Sequence, residues 1–406
     1  MPTWVLLCGF LLSCVLGLVI LPNILLVSHK KHLFDMPDAR KVHTAPIPRL
    51  GGLAFFPVIL ITVFMMTGIS MYSPGLVKDI NSIELTRVFL FLFAGMTLLY
   101  LVGEVDDLVG VGYRYKFLVQ TISAVMIVIS GTWMHSFAGL FGIGEVPAWI
   151  GIPATILIII FITNAINLID GIDGLASGLS IISLITLTAL LMTNSSFIYI
   201  LLAVATLGIV LVFWFYNVFG NARKGHKLFM GDTGSLTLGF ILGFLVLHLS
   251  QDIQGGPENP RPGNWNMIVA FSSLIVPMFD AVRVSLHRIR KHRNPFLPDR
   301  NHIHHKLIRA GIKRTAHVLA TILGIDLFFI CFNALLADEM NVTLLIIIDI
   351  IIYTSMHLVI NHFIRKNGGG PSYIPVEELA KTEPELAREL GLDSSEKSDT
   401  NNANRE

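Results

Sequence analysis

Eleven stretches of mostly apolar residues, each long enough to cross a bilayer, decide what this chain can fold into. They lie near 3–27, 51–69, 86–103, 116–134, 148–166, 177–193, 197–215, 234–250, 266–286, 315–336 and 342–364. About 20 such residues, coiled as a helix, match the hydrocarbon thickness of a membrane, and within lipid a backbone must satisfy its own hydrogen bonds. The expected fold class is therefore all-α, a polytopic integral membrane protein. Hydrophobic residues at 53% against 14% charged exclude an ordinary soluble domain. The first stretch is too long for a cleavable leader, and its basic residues, Lys30 and Lys31, follow it instead of preceding it, so it reads as a retained helix. Cys8, Cys14 and Cys331 sit inside apolar runs without Cys-x-x-Cys spacing, which argues against a disulfide framework and a thiolate zinc site.

Loop charge orients the bundle. The loops after the first, third, seventh and ninth stretches carry Lys30, Lys31, Arg40, Lys41 and Arg49, then Arg114, then Arg223, Lys224 and Lys227, then a basic run from Arg288 to Arg314. The intervening loops hold only Lys78 and Arg261, with Arg87 at a span edge. The positive-inside bias places the first set in the cytoplasm, with the N-terminus outside and the C-terminus inside an inner cell membrane. Residues 1–366 read as one transmembrane domain. Residues 367–406, opening on Gly368-Gly369-Gly370-Pro371, read as an acidic, largely disordered cytoplasmic tail.

Four polar clusters fall on that same side. Asp106 and Asp107, at the C-terminal end of the third stretch, oppose the helix dipole and repel each other, so a cation is expected to offset them. Mg2+, with Mn2+ as the alternative, suits carboxylates and phosphates; a solvated acid pair is the plainer reading. Asn164 to Gly178, reading N-A-I-N-L-I-D-G-I-D-G-L-A-S-G, closes the fifth stretch. Asp170 and Asp173, three apart, would share a face on a helix, and Gly171 and Gly174 would let a ligand approach the backbone. Asn167 with Asp170 could face a metal or nucleotide, and Asp173 with Gly171 a base or ribose; a self-bonded Gly-rich turn is the alternative. Phe229 to Ser235 opens the eighth stretch, where Asp232 is either an N-cap or a metal ligand. The loop with Arg300, His302, His304 and His305 reads better as a phosphate-binding surface than as zinc ligands, with a basic membrane anchor as the bland alternative. Arg114 and Lys116 either neutralise a phosphate or snorkel, and the proline-stiffened loop ending in Arg49 is placed to meet a lipid phosphate.

Taken in order, G-E-V-D-D-L, Y-K-F-L-V-Q, N-A-I-N-L-I-D-G-I-D-G-L-A-S-G, F-M-G-D-T-G-S and H-I-H-H resemble the polyprenyl-phosphate N-acetylhexosamine-1-phosphate transferases from about Asp35 to Lys306. The resemblance implies Mg-dependent transfer of a sugar 1-phosphate from a UDP-sugar to undecaprenyl phosphate in the inner leaflet, giving the lipid diphosphate sugar and UMP. It also implies roles. Asp106 and Asp107 match the catalytic acid pair, Asn167 and Asp232 the metal ligands, and Lys116 the phosphate-contacting lysine. Gly171, Asp173 and Phe229 match the uridine pocket, and His304 and His305 the cytosolic histidines. Asp170 joins the catalytic set, and Asn164, Arg300, His302 and Arg49 the substrate-binding set. GlcNAc is the expected sugar, for a cell-envelope polysaccharide such as O-antigen. His302-Ile-His304-His305 fits the GlcNAc-1-phosphate enzymes better than the alternative, the phospho-MurNAc-pentapeptide transferase. Membrane lipids are expected partners, a homodimer is left open, and nucleic acid is not expected.

From another class, an ion-coupled transporter would place its acids near the bilayer midplane and show repeated halves. No repeat is evident, and the acids of the polar clusters gather at one surface.

Overall fold

The computed structural model describes residues 3–34, 47–72, 83–194, 196–251, 263–292 and 301–368. Helix α8 (Gly231–Gln251) is the axis of the bundle. Its central apolar window is 94% buried, against 33% in α1 (Thr3–Lys31) and 28% in α13 (Val342–Lys366), which face lipid. It packs on α3 (Ile83–Val109) and α5 (Ala148–Ile169). Small residues permit this closeness, because helices in lipid associate through tight packing rather than hydrophobic expulsion. A Cβ on Gly103 of α3 would lie 2.5 Å from Thr233 Cα, and one on Gly239 of α8 would lie 2.7 Å from Thr163 Cα.

Around this axis run α2 (Phe55–Met71), entered through a 3-10 turn at Gly51–Ala54, then α4 (Tyr113–Ile129), α6 (Leu175–Asn194) and α7 (Phe197–Phe219). Beyond α8 come α9 (Gly263–Ser272), α10 (Ile275–Arg290), the short α11 (Ile303–Arg309) and α12 (Thr315–Leu336). Among the described residues the only strands are an antiparallel hairpin, β1 (Ser136–Leu140) and β2 (Ile143–Glu145), which the sequence pattern did not announce. The three cysteines are free.

Among the described residues, nine helices are long and apolar enough to cross a membrane. A tenth crossing is broken: α9 and α10 meet at 68°, so the stretch 266–286 is not the straight span expected. Polar side chains meet the break, since Ser183 Oγ donates to the carbonyl of Ser273 at 2.5 Å. The eleventh is α4, whose 17 residues span about 25 Å. Connectivity makes it cross. It leaves α3 beside the start of α8, and the chain after it returns to the far end, where the backbone N–H of His135 donates to Gln251 Oε1 at 2.6 Å.

The odd-numbered crossings all finish at the end where α8 begins. Asp107 of α3 and Asn167 of α5 touch the first turns of α8; His29 of α1 lies against Gly225 in the loop after α7. Arg283 of α10 reaches Asn301, and Asn367, just past α13, reaches the end of α11.

Acids do not gather only there. Asp280 of α10, Asp326 of α12 and Asp349 of α13 are buried within crossings, which corrects the single-surface expectation. Asp349 accepts from Asn333 Nδ2 at 2.9 Å, tying α13 to α12.

Candidate active site

The site forms where the C-terminal end of α3 meets the N-terminal end of α8. The entry to α8 is set by the backbone: residues 48–52, ahead of α2, pair with 229–230 through Phe229 N–H to Pro48 O (2.8 Å), Gly51 N–H to Phe229 O (2.9 Å) and Gly52 N–H to Met230 O (2.8 Å). Gly231 then turns into α8 at φ +72, against the Arg49 carbonyl and the Asp107 carboxylate, a conformation and a space that suit only glycine.

Asp107, not Asp232, caps α8. Its Oδ1 accepts the backbone N–H of Asp232 at 2.8 Å, and its Oδ2 accepts both the backbone N–H (3.0 Å) and the hydroxyl (2.7 Å) of Thr233. A carboxylate from one helix thus answers the free N–H groups and positive dipole end of another. This removes half of the dipole conflict expected for the acid pair and leaves the Asp232 carboxylate free of any capping duty. Asp106 takes no part in that cap and accepts instead from the Val111 N–H at 2.8 Å.

Lys116 of α4 supplies the second offset. Its Nζ lies 2.9 Å from Asp232 Oδ2 and 3.2 Å from Asp106 Oδ1, so it binds the acids themselves. Ligand atoms of Asp106, Asp107 and Asp232 lie within 4.8 Å of one another. Three carboxylates around one ammonium form a hard-oxygen cluster with an excess of negative charge, which fits a divalent cation such as Mg2+. Asn167 of α5 joins them, its Nδ2 donating to Asp232 Oδ1 (3.1 Å) and Ser235 Oγ (2.8 Å). A half-turn of that amide presents its carbonyl oxygen to the same cluster.

Other expected residues are placed differently. Asn164 lies inside α5 and exchanges hydrogen bonds with Gln120 of α4, at 2.6 and 3.3 Å, a clamp between two helices. Asp170 and Asp173 do not share a helical face, because α5 ends at Ile169 and 170–174 form a turn. The Gly174 N–H donates to Asn217 Oδ1 at 2.6 Å, and the turn's Asp173 pairs with Lys227 at 2.5 Å. Lys227 was visible in the sequence only as a loop charge. Asp170 is exposed just past the end of α5, with the carboxylates of Asp232, Asp173 and Asp107 as like-charged neighbours and Arg49 opposing them.

The histidines come in through α11. Gly171 does not stand open to a ligand: a Cβ there would collide with the His304 ring at Nε2. Burial holds the His304 imidazole well below its usual range, so it is neutral at pH 7, and neither ring nitrogen has a hydrogen-bond partner. Its ring centroid lies 4.2 Å from that of His305, tilted by 46°, and its ring is parallel to that of His302 at 6.0 Å. His302 faces inward, its Nδ1 2.7 Å from Asp280 Oδ2. Asp280 also accepts from the Ile303 N–H (3.1 Å) and from Arg283 (2.7 Å), and Arg283 donates to the Asn301 carbonyl. This buried clamp fixes the start of α11, and the sequence reading missed it because Asp280 hides in an apolar run. Lys306 of α11 lies 3.1 Å from His357 Nδ1 of α13. Arg300 lies outside the described residues.

Comparison with known proteins follows these elements. The description "Glycosyl transferase family 4" matches residues 88–250, from α3 to the end of α8. A Bacillus subtilis (strain 168) protein named "Probable undecaprenyl-phosphate N-acetylglucosaminyl 1-phosphate transferase" is 32% identical over 349 residues, 85% of this chain and 89% of the relative. The undecaprenyl-phosphate alpha-N-acetylglucosaminyl 1-phosphate transferase of Yersinia pestis is 31% identical over 299 residues, 73% of this chain and 75% of the relative. Its Escherichia coli (strain K12) counterpart is 30% identical with the same coverage. With the carboxylate cluster, its lysine and its amide all drawn from matched helices, the chain belongs to glycosyl transferase family 4.

Proposed function

We propose that this protein transfers N-acetylglucosamine 1-phosphate from a UDP-sugar to undecaprenyl phosphate, releasing UMP, as the first membrane step of a cell-envelope polysaccharide. The observation that carries this reading is the meeting of Asp106, Asp107, Asp232 and Lys116, from α3, α8 and α4, at one end of a membrane bundle. The lipid acceptor has its phosphate at the bilayer surface, and the donor is soluble, so a shared site belongs at such an end. The basic loops at that end, with Lys31, Arg114 and Lys224, support its assignment to the cytoplasm.

Phosphoryl transfer between two anions needs charge neutralisation and positioning more than covalent help. A bound Mg2+, held by Asp232, Asn167 and one of the acid pair, would supply Lewis acidity to phosphoryl oxygens. Lys116, sharing the Asp232 carboxylate, is placed to steady a donor phosphate. Asp106, which accepts one backbone N–H where Asp107 accepts two and a hydroxyl, is the better placed of the pair to take a proton from the lipid phosphate. Neutral His304 offers one N–H and one lone pair beside Gly171. Asp173, Phe229 and Arg49 are the groups assigned to the nucleotide and the lipid head.

A panel of UDP-sugars incubated with undecaprenyl phosphate and the purified protein tests the reading. UMP release and a lipid product heavier by one GlcNAc 1-phosphate are expected. Turnover with UDP-MurNAc-pentapeptide in place of UDP-GlcNAc, or none with any sugar at saturating Mg2+, refutes it.

A further inference from the structure

A cavity of about 660 Å3 opens between the C-terminal ends of α1 and α7, away from the carboxylate cluster. Pro22 and Leu26 of α1 and Phe215 and Phe219 of α7 give it apolar walls. Its rim at the bundle end carries basic side chains: Lys224 and His226 are exposed there, His29 closes the corner, and Lys30 and Lys31 follow it in sequence. No Asp or Glu is among the described residues lining it. An apolar trough capped by basic groups at the membrane boundary complements an amphiphile whose head carries a phosphate.

The rim is ordered by its own sequence. Asn221 Oδ1 accepts the Lys224 N–H at 3.2 Å, the His226 N–H reaches Asn221 O at 3.0 Å, and Gly225 adopts φ +70 against the His29 ring. The same loop continues into Lys227, the partner of Asp173, and Phe229, the partner of Pro48 and Gly51, before entering α8. A head group seated on this rim therefore bears on the loop that feeds the site.

We propose that this cavity is an accessory site for an anionic phospholipid of the bilayer, its phosphate on Lys224 and His226 and an acyl chain along Leu26 and Phe215. The occupant is not the reacting lipid, since neither α1 nor α7 contributes a carboxylate to the cluster. A lipid here restrains the 220–230 loop and steadies the fold at the site end.

The test uses the full chain, purified and delipidated in detergent, with dioleoyl phosphatidylglycerol, phosphatidylcholine, undecaprenyl phosphate and inorganic phosphate as separate probes. Adducts retained in native mass spectrometry and the thermal midpoint are the readouts. Phosphatidylglycerol should be retained and raise the midpoint, and phosphatidylcholine and inorganic phosphate should do neither. The double variant Lys224→Glu with His226→Glu should retain phosphatidylglycerol at least about five-fold less well. Leu26→Trp, which fills the trough without changing charge, should lose it as well; all three residues are exposed, so the fold is kept. Equal retention of phosphatidylcholine, unchanged retention in both variants, or one-for-one displacement by undecaprenyl phosphate overturns the proposal.

Discussion

Lys116 holds its ammonium 2.9 Å from Asp232 Oδ2, on an oxygen that a divalent cation would also seek. A bound cation would therefore share one carboxylate with the lysine. Lys116→Met leaves Asp106, Asp107 and Asp232 with no internal ammonium, and the metal-free variant is expected to lose about 1–3 kcal/mol of stability. Added Mg2+ should restore more of its thermal midpoint than it adds to the unaltered protein. An identical Mg2+ dependence in both would show that the lysine and the ion do not meet at Asp232.

The two members of the acid pair should fail differently. Asp107→Asn removes an anion that accepts three hydrogen bonds at the head of α8, so it should lower both UMP release and stability, the latter by about 1–2 kcal/mol. Asp106→Asn should abolish UMP release at a smaller thermal cost, because that side chain accepts one backbone N–H and shares Lys116 with Asp232. Equal thermal losses in the two variants would remove the distinction.

Asp280 should act on the reaction without touching it. Asp280→Ala strands Arg283 and releases His302, a loss of about 3 kcal/mol for a buried ionic partner. The milder Asp280→Asn keeps an acceptor for the Ile303 N–H, and is expected to fold, to lower kcat by about ten-fold and to spare KM for the UDP-sugar. A change in KM alone would place Asp280 in substrate binding instead.

Stability should also depend on alkali. Burial, with Arg283 and Arg309 nearby, pulls the Lys306 ammonium down to about 7 from 10.5. Between these values the unfolded chain holds a proton that the folded chain has released, so this group makes stability rise with pH across that window and has no effect on the slope outside it. Lys306→Met should flatten the rise in thermal midpoint between pH 7 and 9; an unchanged slope would assign it to other groups.

What the sequence made legible was whatever hydropathy period and local chemistry dictate. Apolar runs located nearly every crossing, and the acids at the ends of α3 and α8 stood out because charge at the bilayer boundary is costly. Which carboxylate did what could not be read, since Asp107 caps a helix 125 residues away and no local pattern encodes that partnership. For Asp170 and Asp173 the turn, not the shared helical face, is what forms, and the three-residue spacing fits a helix and a turn equally well. Asp280, Asp326 and Asp349 were overlooked for a related reason: averaged over a span, one acid hardly dents the hydropathy. A closer look at single charges inside apolar runs would have found Asp280.

The enclosure of α8 also bears on how the protein is built. Helices enter the membrane in the order of their synthesis, and this one is the eighth crossing by chain order, yet it ends with almost no surface toward lipid. Its predecessors α3 and α5 must leave a slot between them until it arrives. The polar side chains those two present to its first turn come together only when that late insertion is complete, so a chain halted before Gly231 can possess most of its crossings and still lack the assembled reaction centre.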